Sequence, residues 1–303
     1  MPTILVVGSL NADLVVRSPR FPNPGETIRG EDLRIIPGGK GANQSVAAAR
    51  QGTSVAMVGR VGNDSFGPDL INNLKQNNVD ASHVQIDPDS ATGTATIIVD
   101  ANGQNSIVLS PGGNGRVSPA DLENIPFSDY ELLLLQLEIP IETVWSAARL
   151  AKESGVRVLL NPAPAVSELP DELLSLPDFL VPNEGELSLL TGQPIHDIAS
   201  AEHAAKSLLE RGVHNVIVTL GANGALIVNK ELTKHIPSFD VQVVDTTAAG
   251  DAFIGGFASA LLQGNSLEDA VRYGCACGAL ATTKFGAQPS LPTKEEVERF
   301  MSV

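Results

Sequence analysis

The chain opens with an apolar run, Ile4 to Val7, that ends at Gly8. No polar residue interrupts it, which predicts a parallel strand buried on both faces. The same signature returns at Val55 to Val58, Leu132 to Leu137, Val156 to Leu160, Phe179 to Val181, Asn215 to Leu220 and Ala225 to Val228. Helical stretches separate these runs. They are predicted at Ser45 to Arg50, through Leu70, Ile71 and Leu74, at Ile141 to Glu153, and from Asn183 through Leu190. Four more follow at Ala201 to Arg211, Ala248 to Leu262, about Ser266 to Thr283, and Lys294 to Met301. Strands alternating with helices point to an α/β fold with a doubly wound, mainly parallel sheet.

A second pattern runs against that rhythm. Leu33 to Ile36 alternates like a strand open on one face. Thr94 to Val99 and Ser106 to Leu109 flank the turn Asp100-Ala101-Asn102-Gly103-Gln104, which predicts a hairpin. Hairpins are antiparallel, so these runs are expected outside the parallel core, in a small second sheet that Leu14 to Arg17 could join. They are scattered along the first third of the chain. Residues 1–303 therefore read as one fold with a discontinuous insert rather than two independent domains. A further β-like run, Val241 to Val244, leads into a carboxylate at Asp245.

Composition bounds what this fold can do. The 303 residues are 43% hydrophobic and 18% charged, enough for a sizeable core and unlike a disordered chain. The formal net charge of -15 argues against partners such as nucleic acid or an anionic membrane surface. It leaves room for an anionic small molecule, because a local glycine and lysine pocket can oppose the global field. Cys275 and Cys277 are separated by one residue on a predicted helix and point to different faces. They read as small core thiols in a reducing compartment. The five histidines show no metal spacing with them. No signal peptide and no spanning apolar run is evident, so a cytoplasmic location is expected.

Three polar stretches carry candidate chemistry. Gly8-Ser9-Leu10-Asn11-Ala12-Asp13 follows the first strand, at the edge where open α/β sheets bind ligands. Asn11 and Asp13 together can donate and accept, which suits a polyol, and both are equally common in plain turns. Pro37-Gly38-Gly39-Lys40-Gly41-Ala42-Asn43-Gln44 brings backbone N–H groups and a cation together at a helix start. It is no Walker A loop, since Gly41 rather than Ser or Thr follows Lys40, and no dinucleotide fingerprint. Asp245-Thr246-Thr247-Ala248-Ala249-Gly250-Asp251 enters the helix at Ala248. Small residues at a helix N-terminus let a phosphate approach unpaired N–H groups. A carboxylate opposes anion binding, so Asp251 needs another task there, and general base toward an attacking hydroxyl is the natural one. An N-capped helix rich in small residues is the plain alternative.

Taken in series, these motifs resemble the PfkB carbohydrate kinases. The two loops just quoted are joined by Asn11-Ala12-Asp13, Gln136-Leu137-Glu138, Asn183-x-x-Glu186, Thr219-Leu220-Gly221 and Gly286-Ala287-Gln288-Pro289-Ser290, in the order expected of the family's ribokinases. The resemblance covers nearly the whole chain. It implies a ribokinase-like three-layer α/β fold, with a central sheet flanked by helices and a small β lid drawn from about 11–18, 31–37 and 94–111. It implies transfer of the ATP γ-phosphoryl group to the 5-hydroxyl of D-ribose. On that reading Asp251 is the base, and the Ala248, Ala249 and Gly250 amides stabilise the transferred group. Asn11, Asp13, Gly39, Lys40, Asn43 and Glu138 hold the sugar. Asn183 and Glu186 serve Mg2+ and phosphate placement, while Thr219 and Gly221 border the nucleotide. A K+ site is implied from Asp245, Thr247, Ala281, Lys284, Gly286 and Ser290, an all-oxygen set suited to a hard cation. Without the resemblance, Asp245 reads as a helix cap and Ser290 as a turn residue.

The sequence departs from many ribokinases at Ala252 and Ile254, where Thr and Asn are usual, and at Cys275, near the expected adenine position. Another sugar kinase of the family, for deoxyribose or fructose, and a catalytically silent sugar-binding protein are the competing readings. A sheet as small as the expected lid needs a partner for its apolar face. The resemblance implies that this partner is the same sheet of a second subunit, a homodimer.

Overall fold

In a computed structural model, which describes residues 3–302, two sheets organise the chain. The large sheet contains β1 (Thr3–Val7), β4 (Ser54–Gly62), β5 (Val79–Asp87), β8 (Leu132–Leu135), β9 (Arg157–Leu160), β10 (Phe179–Leu180), β11 (Asn215–Thr219), β12 (Ala225–Asn229) and β13 (Thr233–Ile236). Its spatial order is β13-β12-β11-β10-β9-β8-β1-β4-β5. All pairings are parallel except the two at the β11-β12-β13 edge. The small sheet is β3-β2-β6-β7, built from β2 (Asn11–Arg17), β3 (Arg34–Gly38), β6 (Gly93–Val99) and β7 (Asn105–Ser110).

The strands of the large sheet are apolar at successive positions because helices cover both faces. Ile4, Val6, Met57, Leu132 and Leu134 pack into one buried cluster with Phe253 and Phe257. Their neighbours Leu5, Val7, Val58, Leu133 and Leu135 pack into the other with Val144 and Leu208. The first layer holds α1 (Lys40–Arg50), α2 (Phe66–Gln76), α7 (Ala249–Leu262), α8 (Leu267–Ala281) and α9 (Lys294–Met301). The second holds α3 (Ile141–Glu153), α4 (Asp171–Leu174), α5 (Glu184–Thr191) and α6 (Ile198–Glu210). The expected three-layer fold is present. None of the described helices is long and apolar enough to cross a membrane.

Sheet order reverses between β1 and β8. From β1 the chain builds outward through β4 and β5, then returns to β8 on the other side of β1. Such a switch opens a crevice at the strands' carboxyl ends. Ser9 to Asn11, Gln136 to Glu138, Asn161, Asn183 and Thr219 all lie at those ends.

Two expectations fail. Val241 to Val244 is not a strand; the sheet ends at β13, and Val243 and Val244 are 59% and 62% exposed. Their amide run is held instead at the end of α8, where Val244 N and Asp245 N donate to Thr282 O at 2.8 and 3.1 Å. The helix expected from Ser45 starts at Lys40, so Lys40, Asn43 and Gln44 lie on its first turns rather than in a loop. Gly39 makes the early start possible. It sits at φ 88, and a Cβ there would meet backbone atoms of Ser9, Leu10 and Asn11 at 2.8 to 2.9 Å. Strands β5 and β13 carry no strong pattern and were not expected.

Candidate active site

Helix α7 brings Asp251 to the site. The helix is buried along almost its whole length. Gly255 and Gly256 let its neighbours close in: a Cβ at Gly255 would lie 2.4 Å from Ala47 of α1, and one at Gly256 would lie 2.4 Å from Cys277 of α8. Helices packed this tightly fix the first turn of α7 against that of α1. The Asp251 carboxylate is thereby gripped on both oxygens. Asn43 Nδ2 donates to Oδ2 and Gln44 Nε2 donates to Oδ1, each at 3.0 Å. Asp251 is 7% exposed. Burial pushes its carboxyl above the ordinary value, opposed by the Lys40 charge and the two amide bonds and reinforced by Glu138.

The segment before α7 has open N–H groups. Ala248 caps the helix in the left-handed region at φ 60, a conformation that costs a non-glycine residue about 1–2 kcal/mol. Ala249 N is engaged with Thr246 O at 3.2 Å. Among the described residues no hydrogen-bond acceptor meets the amides of Ala248, Gly250 or Asp251. Of the three expected amides, Ala249 N has a partner within the chain, and Asp251 N is without one as well.

Around the carboxylate stand the other candidates. Glu138, beyond β8, accepts from Lys40 N at 3.0 Å and from Ser9 Oγ at 2.5 Å. Burial works against the Lys40 charge, but Asp251, Glu138 and Glu186 hold its pKa above the ordinary value. Asn11 and Asp13 project from one face of β2, and both are buried. Burial, followed by the Glu138 and Asp251 charges, pushes the Asp13 carboxyl up to about 7. Gly38 leaves room for it, since a Cβ there would meet Asp13 Oδ2 at 2.2 Å. Asn114 Nδ2 donates to Asn11 Oδ1 at 2.7 Å and to Leu10 O at 2.9 Å, fixing the turn after β1.

A cleft of about 820 Å³ runs from Lys40 and Asp251 past Gly250, Asn183 and Glu186 to Thr219 and Gly221. Its lining also includes the apolar Phe239, Val243, Cys275 and Ala279. The Val241–Val244 segment, absent from the sheet, lends two of its valines to this wall. Burial pushes the Cys275 thiol up to about 12, so it lies there as an uncharged group. Asn183 and Glu186 form a reciprocal cap on α5: Asn183 N donates to Glu186 Oε2 at 2.9 Å, and Glu186 N to Asn183 Oδ1 at 2.8 Å. Burial raises the Glu186 carboxyl above its ordinary value.

The expected cation ligands gather beside this cleft rather than in it. Asp245 accepts from Gly286 N at 2.9 Å and from Thr247 Oγ1 at 2.7 Å. Ser290, fully buried, spends its proton on Ala287 O at 2.8 Å and keeps oxygen lone pairs. Burial disfavours the Asp245 charge, yet the Thr247 and Gly286 bonds and the nearby Arg17 hold its carboxyl below the ordinary value. An anionic carboxylate, a hydroxyl and peptide carbonyls at 247, 281, 284 and 286 fit a hard monovalent cation. Phe285, inside this loop, lies under Arg17 and Arg34 of the small sheet, 4.9 and 5.6 Å from the ring centroid. Among the described residues, no group of three or more His, Cys, Asp or Glu could hold a metal by itself.

Sequence reasoning passed over Asn114, Asn161, Ser9 and the individual roles of Gln44 and Gln136. Asn161 and Gln136 had a usable signal, since each is a polar residue at the carboxyl end of a buried strand. Asn114 sits in a glycine-rich stretch with no pattern to single it out.

The arrangement combines a gripped carboxylate, free helix-start amides, a lysine, and a cleft with both polar and apolar lining. That is the equipment for moving a phosphoryl group from a bound nucleotide to a hydroxyl. The sequence pattern of the pfkB family carbohydrate kinases matches residues 1–294. The chain is 44% identical to the ribokinase of Haemophilus influenzae, over 99% of this chain and 98% of that one. It is 40% identical to a deoxyribokinase of Salmonella typhi, over 99% of each. Its structure matches that of Arabidopsis thaliana ribokinase complexed with ribose and ATP at a TM-score of 0.92, with 34% identity over 100% and 99% of the two chains. Ribokinase from Thermotoga maritima gives 0.90, with 41% identity over 100% of both.

Proposed function

The chain belongs to the pfkB family of carbohydrate kinases, an ATP-dependent enzyme family, and we propose that its acceptor is the 5-hydroxyl of D-ribose, giving ribose 5-phosphate. The observation that carries the proposal is Asp251. It is a buried carboxylate with a raised pKa at the head of a helix where the N–H groups of Ala248, Gly250 and Asp251 are free. A raised pKa suits a base working near neutral pH. Asp251 takes the hydroxyl proton as the oxygen attacks the γ-phosphorus of ATP, and ADP leaves. The free amides of Gly250 and Asp251, with Ala248, meet the charge on the transferring group. Asn11, Asp13, Gly39, Lys40, Asn43 and Glu138 hold the sugar against Asp251.

The nucleotide occupies the cleft, with its base toward Cys275 and its phosphates toward Asn183, Glu186 and Gly250. Mg2+ binds one or two carboxylates plus phosphates and waters rather than a full protein cage, which agrees with Glu186 lining the cleft beside Asn183. When bound, it neutralises phosphate charge. The oxygen set around Asp245 would hold K+ and order the turn that carries the anion hole. The two buried free thiols suit a reducing cytoplasm.

The small sheet serves as lid and clasp in this proposal. Strand register puts Asn11, Asp13 and Val15 on one face with Ala95, Ile107 and Leu109. Ile35, Leu14 and Val108 share the other face, and Val108 is 65% exposed. The first face closes on the sugar and excludes water; the second meets the same sheet of a second subunit.

Asp251→Asn should fold and bind ATP but lose roughly 10²–10⁴-fold in ADP release with ribose, the usual cost of removing a base. Near-wild-type turnover would reject the assignment. The same coupled assay across ribose, 2-deoxyribose and fructose fixes the acceptor, and equal rates in sodium and potassium would remove the cation site.

A further inference from the structure

Between the sheet and α7 lies a run of buried amides that the reaction as described does not use. Gln136 ends the stretch after β8, Gln44 lies on the first turns of α1, and Asn161 follows β9. Gln44 and Gln136 have no exposed surface, and Asn161 is 6% exposed. We propose that Gln44 is a positioning residue for catalysis: Gln136 and Asn161 lock its amide so that it presents an N–H to Asp251 and keeps the carboxylate aimed and ionised.

The direction of each amide follows from a fixed point. Asn161 Nδ2 donates to the backbone carbonyl of Val181 at 2.9 Å, and a carbonyl can only accept. Asn161 Oδ1 is therefore turned toward Gln44, whose Nε2 donates to it at 3.2 Å. The same Nε2 donates to Asp251 Oδ1 at 3.0 Å, so both amide protons of Gln44 are committed. From the other side Gln136 Nε2 donates to Gln44 Oε1 at 2.7 Å. A reversed Gln44 would set its oxygen against both Asp251 and Asn161 and its nitrogen against the Gln136 nitrogen.

Holding this arrangement has a cost. Gln136 Oε1 is buried with no hydrogen-bond partner, an expense of about 1–3 kcal/mol. Turning Gln136 over would put its oxygen against Gln44 Oε1 instead. Gly8 also yields to it, since a Cβ there would lie 2.2 Å from Gln136 Oε1. Asn43, the other donor to Asp251, is placed among the sugar contacts, and its Oδ1 is buried and unpartnered. Its orientation is open to change when a hydroxyl arrives. Gln44 has no such freedom, which makes it the constant donor. The charged groups acting on Asp251 besides these amides are Lys40 of α1 and Glu138 beyond β8; Asp13 of β2 and Glu186 of α5 couple to it in turn.

The inference rests on Asp251 being the base, and the test separates the two. Gln44→Met keeps the volume and removes the donor. A hydrogen bond to a charged group lost in this way should lower kcat about ten- to a hundredfold. Loss of a bond to the ionised form raises the carboxyl pKa, so the acidic limb of kcat against pH should move upward by about one unit. KM for ribose should stay within about twofold, since the residue acts on the base and not the sugar. Gln136→Met, one amide further away, should move the limb the same way by less. The ATP-dependent rise in melting temperature checks the fold of each variant. A kcat loss equal at every pH, with the limb unmoved, would make Gln44 a structural residue and overturn the proposal. An unmoved limb in Gln136→Met would overturn the amide lock, and decides the matter if Gln44→Met does not fold. If Asp251→Asn keeps its activity, the base assignment falls instead.

Discussion

The two sheets solve opposite problems. In the large sheet Ile4 to Val7 of β1 and Leu132 to Leu135 of β8 are apolar at every position and buried, because helices cover both faces. In the small sheet β7 is exposed at all six positions, and β3 leaves Ile35 55% exposed. The rigid sheet holds the groups that must not move: Gln136, Asn161, Asn183 and, through α1 and α7, Gln44 and Asp251. The open sheet supplies Asn11 and Asp13, themselves buried, from β2, which lies beside the half-open β3. A kinase needs both, since the carboxylate must be aimed while the sugar must enter and leave.

The sharpest way to break this contrast is to cut each sheet equally. Leu134→Ala, in the fully buried β8, should cost about 2–5 kcal/mol, the usual range for a core leucine, with the urea midpoint falling to match. A loss near zero would mean that the large sheet is not the stabilising unit.

The next effect lies where the sheets meet. The Asp13 carboxyl, pushed up to about 7 by burial and then by Glu138 and Asp251, takes up protons on folding. Stability from this group is therefore highest below about pH 4, falls as pH rises, and is fully lost above about pH 7. Asp13→Asn should flatten that part of the slope in urea midpoints between pH 5 and pH 8. Asp251 and Glu186, also raised, would leave a residual slope of the same sign. An unchanged slope would place Asp13 in water rather than in the closed site.

The smallest stability effect belongs to the outer face of the small sheet. Val108→Thr should change the protomer's stability within about 0.5 kcal/mol, as exposed substitutions do. Sedimentation should nonetheless show a weakened dimer. A monomer in the unsubstituted protein would remove the clasp and leave the apolar face without a partner.

Much of this molecule was legible in the sequence because period and burial agree. Continuous apolar runs gave β1, β8 and β9, and the Asp100–Gln104 turn gave the β6–β7 hairpin. Val241–Val244 misled, because local apolarity does not say what it faces: those valines line the cleft and solvent, not a core. Lys40 was set in a loop because glycines flank it, while packing of the helix start against Ser9 to Asn11 made it helical.

The sequence by itself determined the fold class, the glycine and aspartate loops, and the identity of the base candidate, since each is a local pattern with a local physical cause. Only the tertiary structure decided that Gln44 faces Asp251 and that Asn161 and Gln136 hold it there. Gln44, Asn161 and Gln136 come from a helix and two strand ends far apart in the chain. The orientation of an amide depends on the acceptors beside it, here the backbone carbonyl of Val181 and the Glu186 carboxylate facing Asn161 Nδ2, and no spacing along a sequence records that.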